Sequence, residues 1–329
     1  MDCGRAQNNP NFPSELDIKP STATGVYSSA HIGTPDERFN ALAQEKAIRE
    51  FGIAGRVWEA SYAILAYLDP LVDDDGKLEF DPPPFTTATR SEGLTVIELG
   101  SGTGLVASRL VRHLVPGRDT IVVTDLPDVC TLLARNLCGL SSDSVLVRPM
   151  AWGDRDHALR LASDLGLGTA SAVQAGAGHP THIICSDLVY FPALLAPLLR
   201  TLLLLTAPPF APLGGAPAQL VISYKIRSLP KEAPFWSAFG LWFEFEPVFA
   251  RPKSRSDADG PWSRFIPVPE EDEMFVFVAT RRPESLTWAL PEHDQDLLAG
   301  VGAWGTPTGK ADDKFEALLL LNIGISDNQ

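Results

Sequence analysis

The chain has 329 residues, 45% hydrophobic and 21% charged, with a formal net charge of −14 at pH 7. That length supports one large domain with appendages, or two domains, with ample apolar material for a core. The acidity argues against nucleic acid, whose phosphates it repels, and favours a basic protein or a cationic small molecule as partner.

Residues 1–38 are polar, scattered with Pro, Ser and Asn, and lack the charged-then-apolar layout of a signal peptide. They read as a flexible leader. Over residues 40–68 the pattern turns helical: "ALAQEKAIREFGIAG" and "VWEASYAILAYLD" carry apolar residues three and four apart, with Gly52 and Gly55 between them. Residues 73–93 read as a loop, set by clustered acids, Gly76 and three consecutive prolines.

A regular alternation follows. "LTVIEL" predicts a buried strand and "GLVASRLVRHL" a helix with Val106, Leu110 and Leu114 on its inner face. "TIVVTD" is a second strand. "PDVCTLLARNLCGL" is a second helix, with Pro127 suited to its first turn. "SVLVRPMAW" and "THIICSD" are the third and fourth strands, joined by a polar, Gly- and Ala-rich connection with room for a short helix. "FPALLAPLLRTLLLL" is a buried helix that Pro197 should bend; its apolar run is too short to span a bilayer and is interrupted by Arg200. "QLVISYKI" is a fifth strand, and a helix is expected near "PKEAPFWSAFGL". "WFEFEPVFA" and "DEMFVFVATRR" are β-rich with no helical pattern between them, so they should pair antiparallel as a long-looped hairpin. The expected fold is α/β: a doubly wound, Rossmann-like, seven-stranded and mostly parallel sheet with an antiparallel C-terminal hairpin. Residues 39–282 form the domain, and residues 283–329 an extension packed back onto it.

Chemistry concentrates in "VIELGSGTG". Glycines between a strand and a helix let backbone approach a ligand closely. Gly100, Gly102 and Gly104 are spaced one residue tighter than the dinucleotide pattern GxGxxG, Glu98 precedes them, and no P-loop lysine follows. A ligand with a cationic amino-acid end and no phosphate fits best, and S-adenosylmethionine is such a ligand. Asp125, at the end of the second strand, can accept both ribose hydroxyls; nicotinamide cofactors are held the same way, so this residue alone leaves both open. Trp152, in "AWGD", offers a face to adenine or packs in the core. "SDLVY" ends the fourth strand; Asp187 and Tyr190 can hold an amine by hydrogen bond and cation–π contact, or Asp187 can cap the next helix while Tyr190 packs in the core.

With these stretches, and with "GRVWEASYAILAYL", "VVTDLPDV", "VISYKIR" and "FVFVATRRP", the chain resembles the seven-β-strand class I methyltransferases. Within them it is similar to the methyltransferase-like protein-lysine methyltransferases, and its long tail leans toward the fungal elongation-factor type. The resemblance implies that Trp58, the segment Gly100, Ser101 and Gly102, Asp125, Trp152 and Ser186 line an S-adenosylmethionine site. It also implies that Asp187 and Tyr190 mark the acceptor side. It makes the expected activity protein-lysine N-methylation in the cytoplasm, with a translation elongation factor as substrate and a monomeric enzyme. The alternatives are a small-molecule amine N-methyltransferase, a non-catalytic cofactor-binding interaction module, and a nicotinamide oxidoreductase. DNA methylation fits less well, since Leu188 and Val189 stand where it wants prolines. The six histidines form no cluster by spacing, the four cysteines match no zinc pattern, and none is assigned to metal. Lys225 and Arg227, after the fifth strand, can line the acceptor mouth, but read first as solvated cations.

Overall fold

The computed structural model describes residues 11–13, 16–21, 36–69, 78–88, 90–140, 143–167, 178–212, 214–253, 260–267 and 273–326. Two helices precede the main sheet. α1 (Ala41–Phe51) is capped by the Asn40 side chain, which accepts from the Ala43 N–H at 2.8 Å. α2 (Glu59–Leu68) is apolar on most sides and buries Ala60, Ala63, Ile64 and Leu68. After them the chain alternates through β1 (Leu78–Asp81), β2 (Thr95–Leu99), α3 (Leu105–Leu110), β3 (Thr120–Asp125), α4 (Cys130–Asn136), β4 (Val145–Pro149) and α5 (Arg155–Asp164). It continues through β5 (His182–Ser186), α6 (Pro192–Leu205), β6 (Gln219–Lys225), α7 (Leu229–Trp242), β7 (Phe243–Pro247), β8 (Phe249–Pro252), β9 (Ser263–Arg264) and β10 (Met274–Arg281). Two further helices, α8 (Asp294–Leu298) and α9 (Lys314–Ser326), follow.

Seven strands form one sheet in the order β4-β3-β2-β5-β6-β10-β7. The first five are parallel, and β10 runs antiparallel to both β6 and β7. This is the expected doubly wound, mostly parallel seven-stranded sheet with its antiparallel C-terminal pair. The central strands β2, β5 and β6 are almost wholly buried, because helices cover both faces. One face packs under α5, α6 and α7 and the other under α2, α3 and α4, giving two large apolar clusters.

Two elements depart from the expectation. Residues 78–81, read as part of a loop, form β1, which pairs antiparallel with β8 in a small second sheet completed by β9. The run "WFEFEPVFA" is two strands, not one. In β7, Phe243 and Phe245 turn inward while Glu244 and Glu246 face out. Pro247, which has no N–H to give, ends that ladder, and the chain passes to the small sheet as β8. α6 runs through Pro197 as one helix, as expected; the Pro197 carbonyl accepts the Thr201 hydroxyl at 2.9 Å.

Of the leader, residues 1–10, 14–15 and 22–35 lie outside the described residues. The rest touches the domain: the Asn11 carbonyl accepts from the Ile53 N–H at 2.8 Å, and the Ser21 N–H donates to Gln44 Oε1 at 3.0 Å. In the extension, Phe315 of α9 is fully buried and stacks on Trp236 of α7 with ring centroids 4.9 Å apart.

Candidate active site

The strand order reverses between β2 and β5, and the crevice outside their carboxyl ends is where open α/β sheets bind ligands. A cavity of about 510 Å³ lies there, a size typical of small-molecule sites. Its lining includes Trp58, Glu98, Gly100, Ser101, Gly102, Asp125, Trp152, Ser186, Asp187 and Tyr190. Gly104 is absent from the lining. It precedes α3 at φ +80°, and a Cβ there would come within 3.1 Å of the Leu133 side chain, so its smallness serves helix packing.

The glycine loop is held from below. The Ser101 N–H donates to the Thr124 carbonyl at 2.9 Å, and the Gly102 N–H donates to Asp125 Oδ2 at 2.8 Å. Gly100 and Gly102 sit at φ +56° and +52°, the left-handed region that glycine adopts without strain. A Cβ on Gly100 would lie 2.8 Å from Leu188 Cδ2 and 3.1 Å from the Trp152 ring, and one on Gly102 would lie 3.0 Å from the Ala54 carbonyl oxygen. Both positions therefore leave no room for a side chain, and the glycine loop packs directly against Leu188, Trp152 and Ala54 at the edge of the cavity.

Two acids stand at the floor. Glu98 is 2% exposed, and its Oε2 has no hydrogen-bond partner. Burial, reinforced by nearby Asp125, pushes its carboxyl up to about 8 from the usual 4.5. Asp125 is raised to about 6, again by burial, although the N–H groups of Gly102 and Leu126 both donate to it. A buried carboxyl with an unpartnered oxygen is poised for a ligand group, and a cationic partner would favour its ionised form.

The acceptor side differs from the sequence reading. Asp187 does not cap α6, whose N-cap is Phe191. It sits at φ +62°, buried, and both its oxygens are taken by Arg227, from Nη1 at 2.7 Å and from Nη2 in a second, shorter bond. Arg227 is thus paired within the lining and only partly solvated. Its guanidinium bridges Asp187 to the Trp58 ring, 5.3 Å from the centroid. Lys225 lies outside the cavity lining. Arg56 stacks on the same Trp58 ring, at 4.4 Å, and the Trp58 indole donates to the Ile53 carbonyl at 3.0 Å. Tyr190 packs edge-on to Trp152 and Phe191. Burial, and then the charges of Asp125 and Asp187, raise its phenol above the ordinary value. Ser186 donates to the Ser61 hydroxyl at 3.1 Å, tying β5 to α2.

Sequence reasoning missed Arg56, Ser61 and Glu232 in this lining. Arg56 and Ser61 flank Trp58 within the quoted stretch "GRVWEAS". Glu232 accepts from the Tyr224 hydroxyl at 2.5 Å and from the N–H groups of Arg227 and Ser228, so it fixes the turn that carries Arg227.

The model of a family described as lysine methyltransferase matches residues 38–235, which carry most of the cavity lining. The chain belongs to the lysine methyltransferase family. Methyltransferases of this kind take S-adenosylmethionine, and the site fits that cofactor: a buried carboxyl with an unpartnered oxygen and the glycine loop lie together in the lining at the switch point of the sheet. Among solved structures, the chain is similar to the CurJ carbon methyltransferase, at 15% identity over 59% of this chain and 50% of that one, with a TM-score of 0.35. It is also similar to the O-methyltransferase NcsB1 from neocarzinostatin biosynthesis, in complex with S-adenosylmethionine and 2-hydroxy-5-methyl naphthoic acid. There the identity is 13% over 57% of this chain and 49% of that one, with a TM-score of 0.32. The chain spans about half the length of each of these two proteins. A third likeness is to a precorrin-6y C5,15-methyltransferase from Geobacter metallireducens, at 12% identity over 57% and 82% of the two chains, TM-score 0.32. At such identities and scores these likenesses carry no argument about chemistry.

Proposed function

We propose that the chain is a protein-lysine N-methyltransferase acting in the cytoplasm on a translation elongation factor. The observation that carries the lysine reading is the family match over residues 38–235, the segment that builds the cavity. The elongation factor rests on the resemblance of the motifs and of the long tail. S-adenosylmethionine supplies an electrophilic methyl group on a sulfonium. The residues of the chain hold the reactants and manage charge. Glu98 pairs with the ligand ammonium, Asp125 accepts the ribose hydroxyls, and Trp152 stacks on the adenine. Trp58 and Ser186 complete that wall.

Transfer to an amine is a direct displacement, so catalysis here is mostly alignment. A lysine amine, with pKa about 10.4, must lose its proton before it attacks. Tyr190 keeps its own proton, because burial raises the phenol above its ordinary value. The proton of the amine therefore leaves through water, and Tyr190 contributes a ring face and a hydroxyl. Asp187 acts through Arg227 instead of binding the amine with a bare carboxylate.

The test uses labelled cofactor and an extract from cells lacking this protein. Label on a lysine of an elongation factor, located by mass spectrometry, is the expected result. Label confined to small amines would replace the protein substrate, and no label in any acceptor would leave a binding module.

A further inference from the structure

Among the described residues, six buried side-chain polar atoms lack a hydrogen-bond partner. Two of the six belong to residues of the cavity lining, and they become complementary once the carboxyl is ionised: Glu98 Oε2, then an acceptor, and Arg56 Nε, a donor. Buried polar groups are almost always satisfied, so a matched pair of orphans in one cavity points to a ligand carrying both a donor and an acceptor. The amino-acid end of S-adenosylmethionine has that pair, an ammonium beside a carboxylate. The sequence reading placed Glu98 on the ammonium and gave the carboxylate no partner.

We infer that Arg56 binds the methionine carboxylate of S-adenosylmethionine. Its position supports this. Arg56 follows Ala54, whose carbonyl oxygen lies 3.0 Å from the Cβ position of Gly102, so the segment borders the glycine loop. The guanidinium is pre-oriented before any ligand arrives, by stacking on Trp58 at 4.4 Å and by an ion pair from Nη2 to Glu59. That pair engages Nη2 and leaves the adjacent Nε without a partner. A rigid planar donor beside a carboxylate is the arrangement in which arginine outperforms lysine. Glu59 then acts as a positioning residue, holding the fork that the ligand meets.

The test is a binding cycle by calorimetry, with two ligands and two proteins. The ligands are S-adenosylmethionine and its decarboxylated form; the proteins are the full chain and Arg56→Met. The full chain should bind the carboxylated ligand roughly 10- to 100-fold more tightly, as expected for a buried hydrogen bond between charged groups. Arg56→Met should lose that discrimination to within about twofold while binding the decarboxylated ligand nearly as well as the parent. An Arg56→Met protein that still discriminates, or that weakens equally toward both ligands, overturns the assignment; the second pattern marks Arg56 as a mere prop for Trp58. Should Arg56→Met fail to fold by thermal melt, Arg56→Lys takes its place, with discrimination expected to fall at least about fivefold; full discrimination there, or none in the parent, overturns the inference equally. If the parent binds neither ligand, the cofactor assignment itself fails, a result distinct from failure of the Arg56 contact.

Discussion

Replacing Glu98 by glutamine keeps the shape of the side chain and removes its titration. In the folded protein without ligand, burial raises this carboxyl to about 8, whereas the unfolded chain ionises near 4.5. Between those two values the native state holds a proton that the unfolded state has released. Raising pH therefore favours unfolding across that window, and the stabilisation present below pH 4.5 is gone above about pH 8. At about 1.4 kcal/mol per pH unit, the gap between 4.5 and 8 sets a ceiling of about 5 kcal/mol, of which about 3 kcal/mol is reached by pH 7. Glu98→Gln has no proton to lose, so its stability should hold where the parent declines. The amide leaves one buried polar atom unpaired, a constant cost that shifts the whole curve but not its slope. The assay is a series of thermal or urea melts without cofactor at unit steps from pH 5 to pH 9. The difference between variant and parent should grow in favour of the variant up to about pH 8 and then level off. At roughly 2 °C per kcal/mol for a chain of this size, the change across the series reaches about 10 °C at most. A difference that stays flat, or that grows in favour of the parent, would refute the account of the buried carboxyl.

Other substitutions test other parts of the site and fold. Gly102→Arg places a side chain at φ +52° against the Ala54 carbonyl and in the ligand's space; S-adenosylmethionine binding should disappear in calorimetry while the circular dichroism spectrum stays native. Asp187→Ala strips Arg227 of its partner. It should cut methyl transfer at least about tenfold and leave cofactor affinity within about threefold, with a stability loss of about 1–3 kcal/mol because Arg227 is partly solvated. Unchanged turnover would remove the pair from the acceptor side. Phe315→Ala empties a fully buried ring site between Trp236 and Phe277; a loss of about 3–5 kcal/mol in urea unfolding is expected. A loss under 1 kcal/mol would mean that α9 is not an integral part of the core.

The sheet was legible because its strands are short continuous apolar runs bounded by turn residues, and because strand and helix periods alternate without interruption from residue 94 to residue 242. Parallel strands buried on both faces leave that trace, and so does β10, whereas β7 shows the alternation of a strand with one face outward. The small sheet was not legible. β1 has four residues, three of them exposed, and no local pattern announces a partner about 170 positions away. Within the site, glycines and strand-end acids announce themselves through position. Arg227 did not, because a cation after a strand reads as solvent-facing unless its partner is known. That partner, Asp187, lies 40 residues earlier, on the neighbouring strand end. Arg56 escaped for a related reason: its importance comes from what it fails to contact.

The place of β10 in the sheet has a consequence for biosynthesis. β7 leaves the ribosome before β10, yet among the described residues its only ladder partner in the main sheet is β10 itself, which inserts between β7 and β6. Until some thirty later residues have emerged, Phe243 and Phe245 have no neighbouring strand to zip against. Nascent chains stalled in that interval present an unfinished border rich in phenylalanine, a natural target for chaperones that shield growing polypeptides.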